Sequence, residues 1–266
     1  MRFALHPLRL TLEALDAIHF PQGKAGNVLR GALGHALEEG IFRPKLDQGP
    51  SGFADPPRPF VFRVRALEGR TFLPGEQFTI EMNVFDRMVV ASIVEALATM
   101  AAAGFGPGRG RAILTGHDQH CLEVDLRKPD APLQKAGILF LTPTEIKGNN
   151  GHLLREPEFG TLMARIRDRI SALRALYGEG PLDMDFRAFA LRASKIRMTA
   201  ADLRRTSIER LSTRTGQRHP LGGFTGGATY EGELGEFAPY LHAAAYTGVG
   251  RQTVWGKGEI ALHRLE

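Results

Sequence analysis

Residues 77–116, QFTIEMNVFDRMVVASIVEALATMAAAGFGPGRGRAILTG, contain the order of elements on which the fold prediction depends. Polar and apolar residues alternate in QFTIEMNVF, which predicts a strand over 77–85. Residues 86–102 are apolar and rich in alanine and predict a buried helix, which the glycine run at 104–110 ends. AILTG at 112–116 predicts the next strand. The stretch therefore predicts a strand, a helix, a glycine-rich loop and a strand.

The residues before this stretch complete a familiar pattern. Residues 2–12 alternate apolar and polar and predict a first strand, and apolar residues at helical spacing predict a helix over 25–39. FVFRVRAL at 60–67 predicts another strand. The resulting order, β-α-β-β-α-β, is that of a ferredoxin-like domain. We expect this domain to cover residues 1–130 and to end within the linker Lys128–Pro132.

The second half of the chain repeats this order more loosely. The sequence predicts a strand at 136–146, a long helix at 159–177 and a shorter helix at 183–193. It then predicts strands at 203–214 and 228–234, a helix at 235–246, a glycine-rich loop at 248–258 and a last strand at 259–265. We therefore expect a second ferredoxin-like domain over residues 131–266. The predicted fold class is α+β, with two tandem ferredoxin-like (RRM-like) domains.

The composition favours a protein that meets a polyanion in a reducing compartment. Lys and Arg number 34 against 29 Asp and Glu, which gives a net charge of +5 and a pI of about 9.6. The single cysteine, Cys121, excludes an internal disulfide and a cysteine-rich zinc site. The first residues lack the apolar core of a signal peptide, and no stretch has the length of a membrane span. We expect a cytoplasmic protein with no membrane partner, no metal and no cofactor.

The stretch YTGVGRQTVWGKG at 246–258 is the most informative for function. It follows a predicted helix and precedes a predicted strand, whereas a dinucleotide-binding loop follows a strand and precedes a helix. What is left is a glycine-rich loop with the basic residues Arg251 and Lys257. Bare backbone N–H groups in such a loop can lie against phosphates at close range. The alternative is a tight connection between helix and strand.

A second basic segment covers residues 186–218, where arginines and lysines far outnumber acidic residues. If 203–214 is a strand, Arg204, Arg210 and Arg214 share one face of it. Such a face can follow a phosphate backbone, and its binding should weaken with salt. The alternative is an ordinary solvated strand face.

Four segments carry a resemblance to a known family. GVGRQTVWGKGEI, which starts at Gly248, resembles the C-terminal glycine-rich loop of the CRISPR-associated RAMP endoribonucleases. Three further segments are similar to the same family and keep its order: LRGALGHAL at 29–37, GFGPGRGR at 104–111 and PLGGFTG at 220–226. The resemblance implies two ferredoxin-like domains side by side, with RNA crossing the cleft between them.

The resemblance also implies metal-independent cutting of repeat RNA in the CRISPR precursor transcript. The 2′-OH of the RNA attacks the adjacent phosphate, and a 2′,3′-cyclic phosphate is left. A general base takes the proton of the 2′-OH, a general acid protonates the 5′-oxygen, and a cation stabilises the phosphate. Histidine suits the acid or base role, and lysine or arginine suits the charge role.

Within this family a catalytic histidine commonly lies near the first helix, so the resemblance implies His35 in that helix or His19 before it. Lys24 is a nearby cation. The residues expected to bind RNA are Gly248, Gly250, Arg251, Thr253, Lys257, Lys195, Arg197, Arg204 and Arg210. The expected partner is CRISPR repeat RNA, with other effector subunits as further candidates, and the protein is expected to be a monomer or a homodimer. An alternative function is a non-catalytic RNA-binding RAMP subunit of a CRISPR effector complex.

Overall fold

The fold was analysed in a computed structural model, which describes residues 1–42, 44, 56–148, 151–206, 209–211, 218–220 and 222–266. The helices are α1 (Ala25–Ala36), α2 (Glu39–Phe42), α3 (Val90–Ala103), α4 (Phe159–Tyr177), α5 (Phe186–Ala193) and α6 (Ala238–Thr247). The strands are β1 (Arg2–Ala14), β2 (Ile18–His19), β3 (Phe60–Arg63), β4 (Thr71–Phe72), β5 (Gln77–Val84), β6 (Ala112–Gln119), β7 (Leu122–Asp125), β8 (Lys135–Thr144), β9 (Arg197–Thr206), β10 (Glu209–Leu211), β11 (Arg218–Pro220), β12 (Gly223–Glu231) and β13 (Ile260–Leu265).

The first half of the chain forms one antiparallel sheet in the order β3-β5-β1-β6, and β7 pairs with the first residues of β1. Leucines 8, 10 and 12 alternate along β1 and point to one face, as the two-residue period of a strand requires. On that face they share a core with Leu29 of α1 and Ile93 of α3. The alternation seen in the sequence thus predicts correctly which face carries the helices.

The second half forms a four-stranded antiparallel sheet in the order β13-β8-β12-β9. Counting the four main strands of each half in chain order, both sheets have the second strand at one edge and the fourth at the other. Helices α4 and α6 cover one face through a core that includes Ile166, Leu241 and Phe140. The prediction of two tandem ferredoxin-like units is confirmed, whereas a domain boundary near residue 130 stays a prediction.

Two strands of the second half differ from their predicted positions. The predicted strand over 203–214 is wrong, because β9 begins at Arg197 and ends at Thr206 and pairs with β12 along this length. The predicted strand at 228–234 starts too late, since β12 already begins at Gly223. Within β12, a Cβ at Gly226 would lie 2.0 Å from the Asp202 carbonyl oxygen, so this glycine serves close strand pairing. Arg214 lies outside the described residues.

The two halves share an apolar interface on the other face of the first sheet. Phe3 and Leu5 of β1, together with Val61 and Phe85, belong to the core that also contains Leu173 of α4. The Tyr177 hydroxyl at the end of α4 donates a 2.6 Å hydrogen bond to the Pro57 carbonyl oxygen. The first sheet is therefore covered by its own helices on one face and, over part of the other face, by the second half.

The C-terminal end of α6 is held by side chains from both halves. Its last carbonyl oxygens have no partner within the helix, as at every helix end. Arg63 of β3 donates to the Ala245 carbonyl, and the Asn83 side-chain amide of β5 donates to the Tyr246 carbonyl at 2.9 Å. Arg169 Nε of α4 donates to the Thr247 carbonyl, also at 2.9 Å. These bonds fix the point at which the C-terminal glycine-rich loop begins.

The loop then reaches the first half and packs against α1. A 3-10 turn at Thr253–Trp255 places the Trp255 carbonyl oxygen where a Cβ at Gly26 would lie only 2.0 Å from it. By contrast, a Cβ at Gly31, on the same helix, would meet no atom within 4 Å. Gly26 is therefore the point at which α1 and the C-terminal loop touch backbone to backbone.

We predict opposite effects of alanine at these two glycines. Alanine within a helix normally stabilises by about 0.5–1 kcal/mol over glycine, so Gly31→Ala should raise the free energy of unfolding by about that amount. Gly26→Ala should lower it by about 1–3 kcal/mol, because the new methyl group overlaps the Trp255 carbonyl and forces a shift. Urea unfolding of the two variants measures the difference, and equal stabilisation by both would contradict the packing described here.

Candidate functional site

The C-terminal glycine-rich loop, residues 248–258, lies between the two halves. Val254 is buried in the core of the first half, and Gly256 packs against Val64, where an added Cβ would be 2.6 Å from the valine side chain. The Trp255 ring packs on the same core, and the Arg30 guanidinium of α1 lies 4.7 Å from its centroid. The loop is therefore a connection between the halves as well as a candidate RNA contact.

Most described N–H groups of the loop already have partners. Val249 N–H donates to the Gly258 carbonyl at 2.8 Å, and Gly258 N–H donates to the Pro143 carbonyl at 3.2 Å. Arg251 N–H donates to the Glu145 carbonyl at 2.9 Å. The expectation of bare backbone donors is wrong at these positions. A Cβ at Gly250, which has φ +80°, would lie 2.3 Å from that same Glu145 carbonyl, so this glycine allows close approach to the protein itself.

Two acidic side chains that the sequence reading missed organise the basic residues of the loop. Glu145, just after β8, is buried, and its carboxylate pairs with the Arg251 guanidinium. Glu68, from the turn before β4, accepts hydrogen bonds from the N–H groups of Lys24 and Ala25 at 3.1 and 3.4 Å. Glu68 thereby caps the N-terminus of α1. No local signal marks either glutamate, because each acts on a segment distant in sequence.

Lys257 is buried close to both of these carboxylates. Only 6% of the residue is exposed, whereas the sequence reading expected an exposed phosphate contact. Burial lowers the pKa of Lys257 to about 8, and the negative charges of Glu145 and Glu68 oppose that shift. Burial likewise raises the pKa of Glu68, against the hydrogen bonds it accepts and the charge of Lys257. The loop and α1 therefore meet through a buried group of opposite charges.

The candidate catalytic residues lie at different ends of α1. Lys24 is exposed at the N-terminus of the helix, and His35 is exposed in its last turn. At 1.5 Å per residue, His35 is about 13 Å along the helix from Gly26, where the loop touches it. His19 is exposed on β2, and its Nδ1 lies 2.9 Å from the Thr71 hydroxyl. The structure thus brings Lys24, and not His35, to the loop contact.

The other candidate RNA contacts lie on the second half. Lys195, Arg197 and Arg204 are exposed on and before the edge strand β9. The Arg204 side chain is 84% exposed, and its Nε lies 4.0 Å from an Asp202 carboxylate oxygen. Arg210 lies in β10, and its side chain falls outside the described part of the chain. In the loop, Thr253 is buried, as are Gly248 and Lys257, while Arg251 stays half exposed.

A cleft of about 530 Å³ opens between the first sheet and the end of α6. Its wall contains Arg9, Arg63, Glu81, Asn83, Tyr246 and Glu259. Burial lowers the pKa of Arg63, which lies 4.0 Å from Glu259 and close to Arg169, and burial also lowers the pKa of Arg169, to about 10. The cleft adjoins both ends of the glycine-rich loop and carries charges of both signs.

Among the described residues, no cluster of three or more histidine, cysteine, aspartate or glutamate side chains is arranged to hold a metal ion. Within the same residues, no helix has the length and apolar character that crossing a membrane requires.

The two ferredoxin-like units and the basic glycine-rich loop agree with the RAMP resemblance seen in the sequence, and comparison with known proteins identifies a more specific family match. Residues 138–260 match the family model of the CRISPR-associated endoribonuclease Cas6, and residues 39–125 match a model described as an N-terminal domain. The first of these matches includes the whole C-terminal glycine-rich loop. No curated protein matches the chain.

Solved structures agree with the family match. A Cas6 product complex is 20% identical with a TM-score of 0.66, over 97% of this chain and 99% of that one. Cas6 of Thermus thermophilus is 18% identical with a TM-score of 0.61, over 97% and 98%. A chain of a partial Cas6-RT-Cas1–Cas2 complex is 14% identical with a TM-score of 0.61, over 98% of this chain and 46% of that one. The resemblance seen in the sequence is confirmed: residues 138–260 match the Cas6 endoribonuclease family, and the whole chain has the fold of the Cas6 structures.

The buried Lys257 predicts a pH dependence of stability. The folded protein releases the lysine proton near pH 8, whereas the unfolded chain keeps it until about pH 10.5. The unfolded state thus binds more protons between these values, and the free energy of unfolding rises with pH there. In this window the free energy of unfolding of the wild type should rise, relative to that of Lys257→Met, by up to about 1.4 kcal/mol per pH unit. Urea unfolding at pH 7.5, 8.5 and 9.5 measures this gain, and a constant difference would contradict it.

Proposed function

We propose that this protein cuts CRISPR repeat RNA in the precursor transcript, without a metal ion, by attack of a 2′-OH on the adjacent phosphate. The observation that carries the proposal is the Cas6 family match over residues 138–260, which includes the whole glycine-rich loop at the junction of the halves. The exposed cations of β9 and α1 support it, because an RNA backbone requires such charges along its path. The solved relative that is a product complex has the same fold.

In this proposal the protein supplies proton transfer and charge. His35 takes the proton of the 2′-OH or gives one to the 5′-oxygen, since its imidazole is exposed on α1 and an imidazole can serve as acid or base. His19 is the second candidate for this role and is oriented by Thr71. Lys24, exposed at the start of α1 and about 16 Å along the helix axis from His35, stabilises the negative charge on the phosphate in the arrangement that uses His19. The product ends are a 2′,3′-cyclic phosphate and a 5′-hydroxyl.

We predict that His35→Ala lowers the cleavage rate by about 10²–10⁴-fold, the usual contribution of a general acid or base, and leaves RNA affinity near normal. Labelled repeat RNA in EDTA gives the rate, and the cyclic phosphate end identifies the chemistry. His242→Ala, at an exposed histidine on α6, is the matched control. Full activity of His35→Ala with loss of activity in His19→Ala would move the role to His19.

The exposed edge of the second sheet should follow the RNA backbone. We predict that Arg204→Ala weakens repeat binding by about three- to tenfold and reduces the slope of log affinity against log salt by about 0.7, the value for one phosphate contact on a single strand. Filter binding over a range of salt concentrations measures both. Arg127→Ala removes another exposed arginine, one that pairs closely with Asp125 on the first half, and it should bind like the wild type. If Arg204→Ala and Arg127→Ala changed the affinity and the salt slope equally, the proposal that RNA follows this sheet edge would be contradicted.

The second candidate function is that of a non-catalytic RNA-binding subunit of a CRISPR effector complex. The distance of about 13 Å between His35 and the loop contact at Gly26 favours it, since a cutting site needs its groups around one phosphate. Tight repeat binding without cutting in EDTA supports the subunit, and clean cutting supports the enzyme. In either role we place the protein in the cytoplasm, as a monomer or homodimer that binds CRISPR repeat RNA and can join other effector subunits.

A further inference from the structure

The first glycine-rich loop, between α3 and β6, is a rigid turn. Phe105 N–H donates to the Gly110 carbonyl and Arg109 N–H donates to the Gly106 carbonyl, both at 3.1 Å. The Phe105 ring is buried, with ring centroids of Phe20 and Phe78 at 5.7 and 6.2 Å. The turn is therefore anchored in the core of the first half, and the residues at its tip hold fixed positions.

Arg109 at this tip has a backbone conformation that suits glycine better than arginine. Its φ is +49°, and among the described residues the other non-glycine position with positive φ is Gln252. An L-residue there is strained, and strain of this kind is retained where a side chain has a task. Arg109 is exposed. Stability alone would favour glycine, so the guanidinium itself requires an explanation.

Further exposed cations come from the turns next to this loop. The backbone at Gly106 lies against the His19 carbonyl, which a Cβ would approach to 3.0 Å. His19 pairs with Thr71 across β2 and β4, and the Phe20 N–H donates to the Arg70 carbonyl at 2.8 Å. Arg70, Lys24 and Arg109 are all exposed. We call His19, Lys24, Arg70 and Arg109 the basic rim.

The acidic groups beside the basic rim are already engaged. Asp16 binds Arg111 through two side-chain bonds of 2.7 and 3.3 Å, and this pairing lowers the pKa of Asp16. Glu68 accepts the N–H groups at the start of α1. Arg111 neutralises Asp16, and Lys257 opposes the charge of Glu68, so in the described part of the chain neither carboxylate is paired with Arg70 or Arg109. Through Lys24 the basic rim continues to the helix end where the C-terminal loop is attached.

We propose that the basic rim, through Arg70 and Arg109 beside the candidate catalytic residues His19 and Lys24, binds the phosphate backbone of the RNA, as a contact separate from the C-terminal loop and from β9. This inference rests on the proposed function, because it assumes that RNA is the ligand. Exposed guanidinium and ammonium groups on three neighbouring turns bind phosphates without reading bases. The rim therefore contributes affinity that falls with salt and does not depend on the sequence of the repeat.

The test replaces Arg109 by glycine, the residue that its backbone conformation favours. Arg109→Gly removes the guanidinium and relieves the strain, so its melting midpoint should equal or exceed that of the wild type. Affinity for a fluorescent repeat RNA with 2′-O-methyl groups, which cannot be cut, is measured by anisotropy at several salt concentrations. Arg109→Lys keeps the positive charge, and Arg2→Ala is the control, an exposed arginine paired with Glu123 on another part of the first half.

We expect Arg109→Gly to bind about three- to tenfold more weakly, with a salt slope reduced by about 0.7, while Arg109→Lys keeps most of the wild-type slope. The same loss should appear with a repeat of scrambled sequence. If the wild type binds RNA and Arg109→Gly binds with the affinity and slope of Arg2→Ala, the basic rim is overturned and the proposed function stands. If the wild type itself does not bind RNA, both proposals fail.

Discussion

The last carbonyl groups of α6 need hydrogen-bond donors, and two of the three donors come from the other half of the chain. Arg63 and Asn83 of the first sheet, with Arg169 of α4, satisfy groups that would cost free energy if buried alone. Because the helix end is held in this way, the C-terminal loop starts at a fixed point between the halves. The position of every loop residue, from Gly248 to Gly258, depends on this constraint.

The charged residues of the C-terminal loop stabilise the contact between the two halves as well as contributing to the surface. Arg251 neutralises the buried Glu145, and Lys257 lies buried near Glu145 and Glu68. A buried carboxylate left without its partner is costly, so these basic residues cannot be exchanged as freely as exposed ones. RNA contacts that vary with the repeat are more readily placed on exposed cations such as Arg204, whose loss leaves no buried charge behind.

The sequence predicts most of the fold and less of the site. The apolar period of α4 and the alternation in β1 are local signals, and both elements were predicted correctly because burial follows those periods. The start of β12 was predicted too late, and the close strand pairing that Gly226 allows leaves no local signal. Glu68 and Glu145 leave no local signal, because their partners are distant in sequence. The roles of His35, His19 and Lys24 stay predictions.

The interface on the first sheet has a consequence for how such a protein can evolve. A lone RRM-like sheet offers its open face to stacked bases, but here Phe3, Leu5, Val61 and Phe85 fill part of that face with the second half. Substitutions at these interface residues would weaken the packing between the two halves. New ligand preferences are therefore more easily acquired at strand edges and turn tips, where single residues can change while the scaffold keeps its stability.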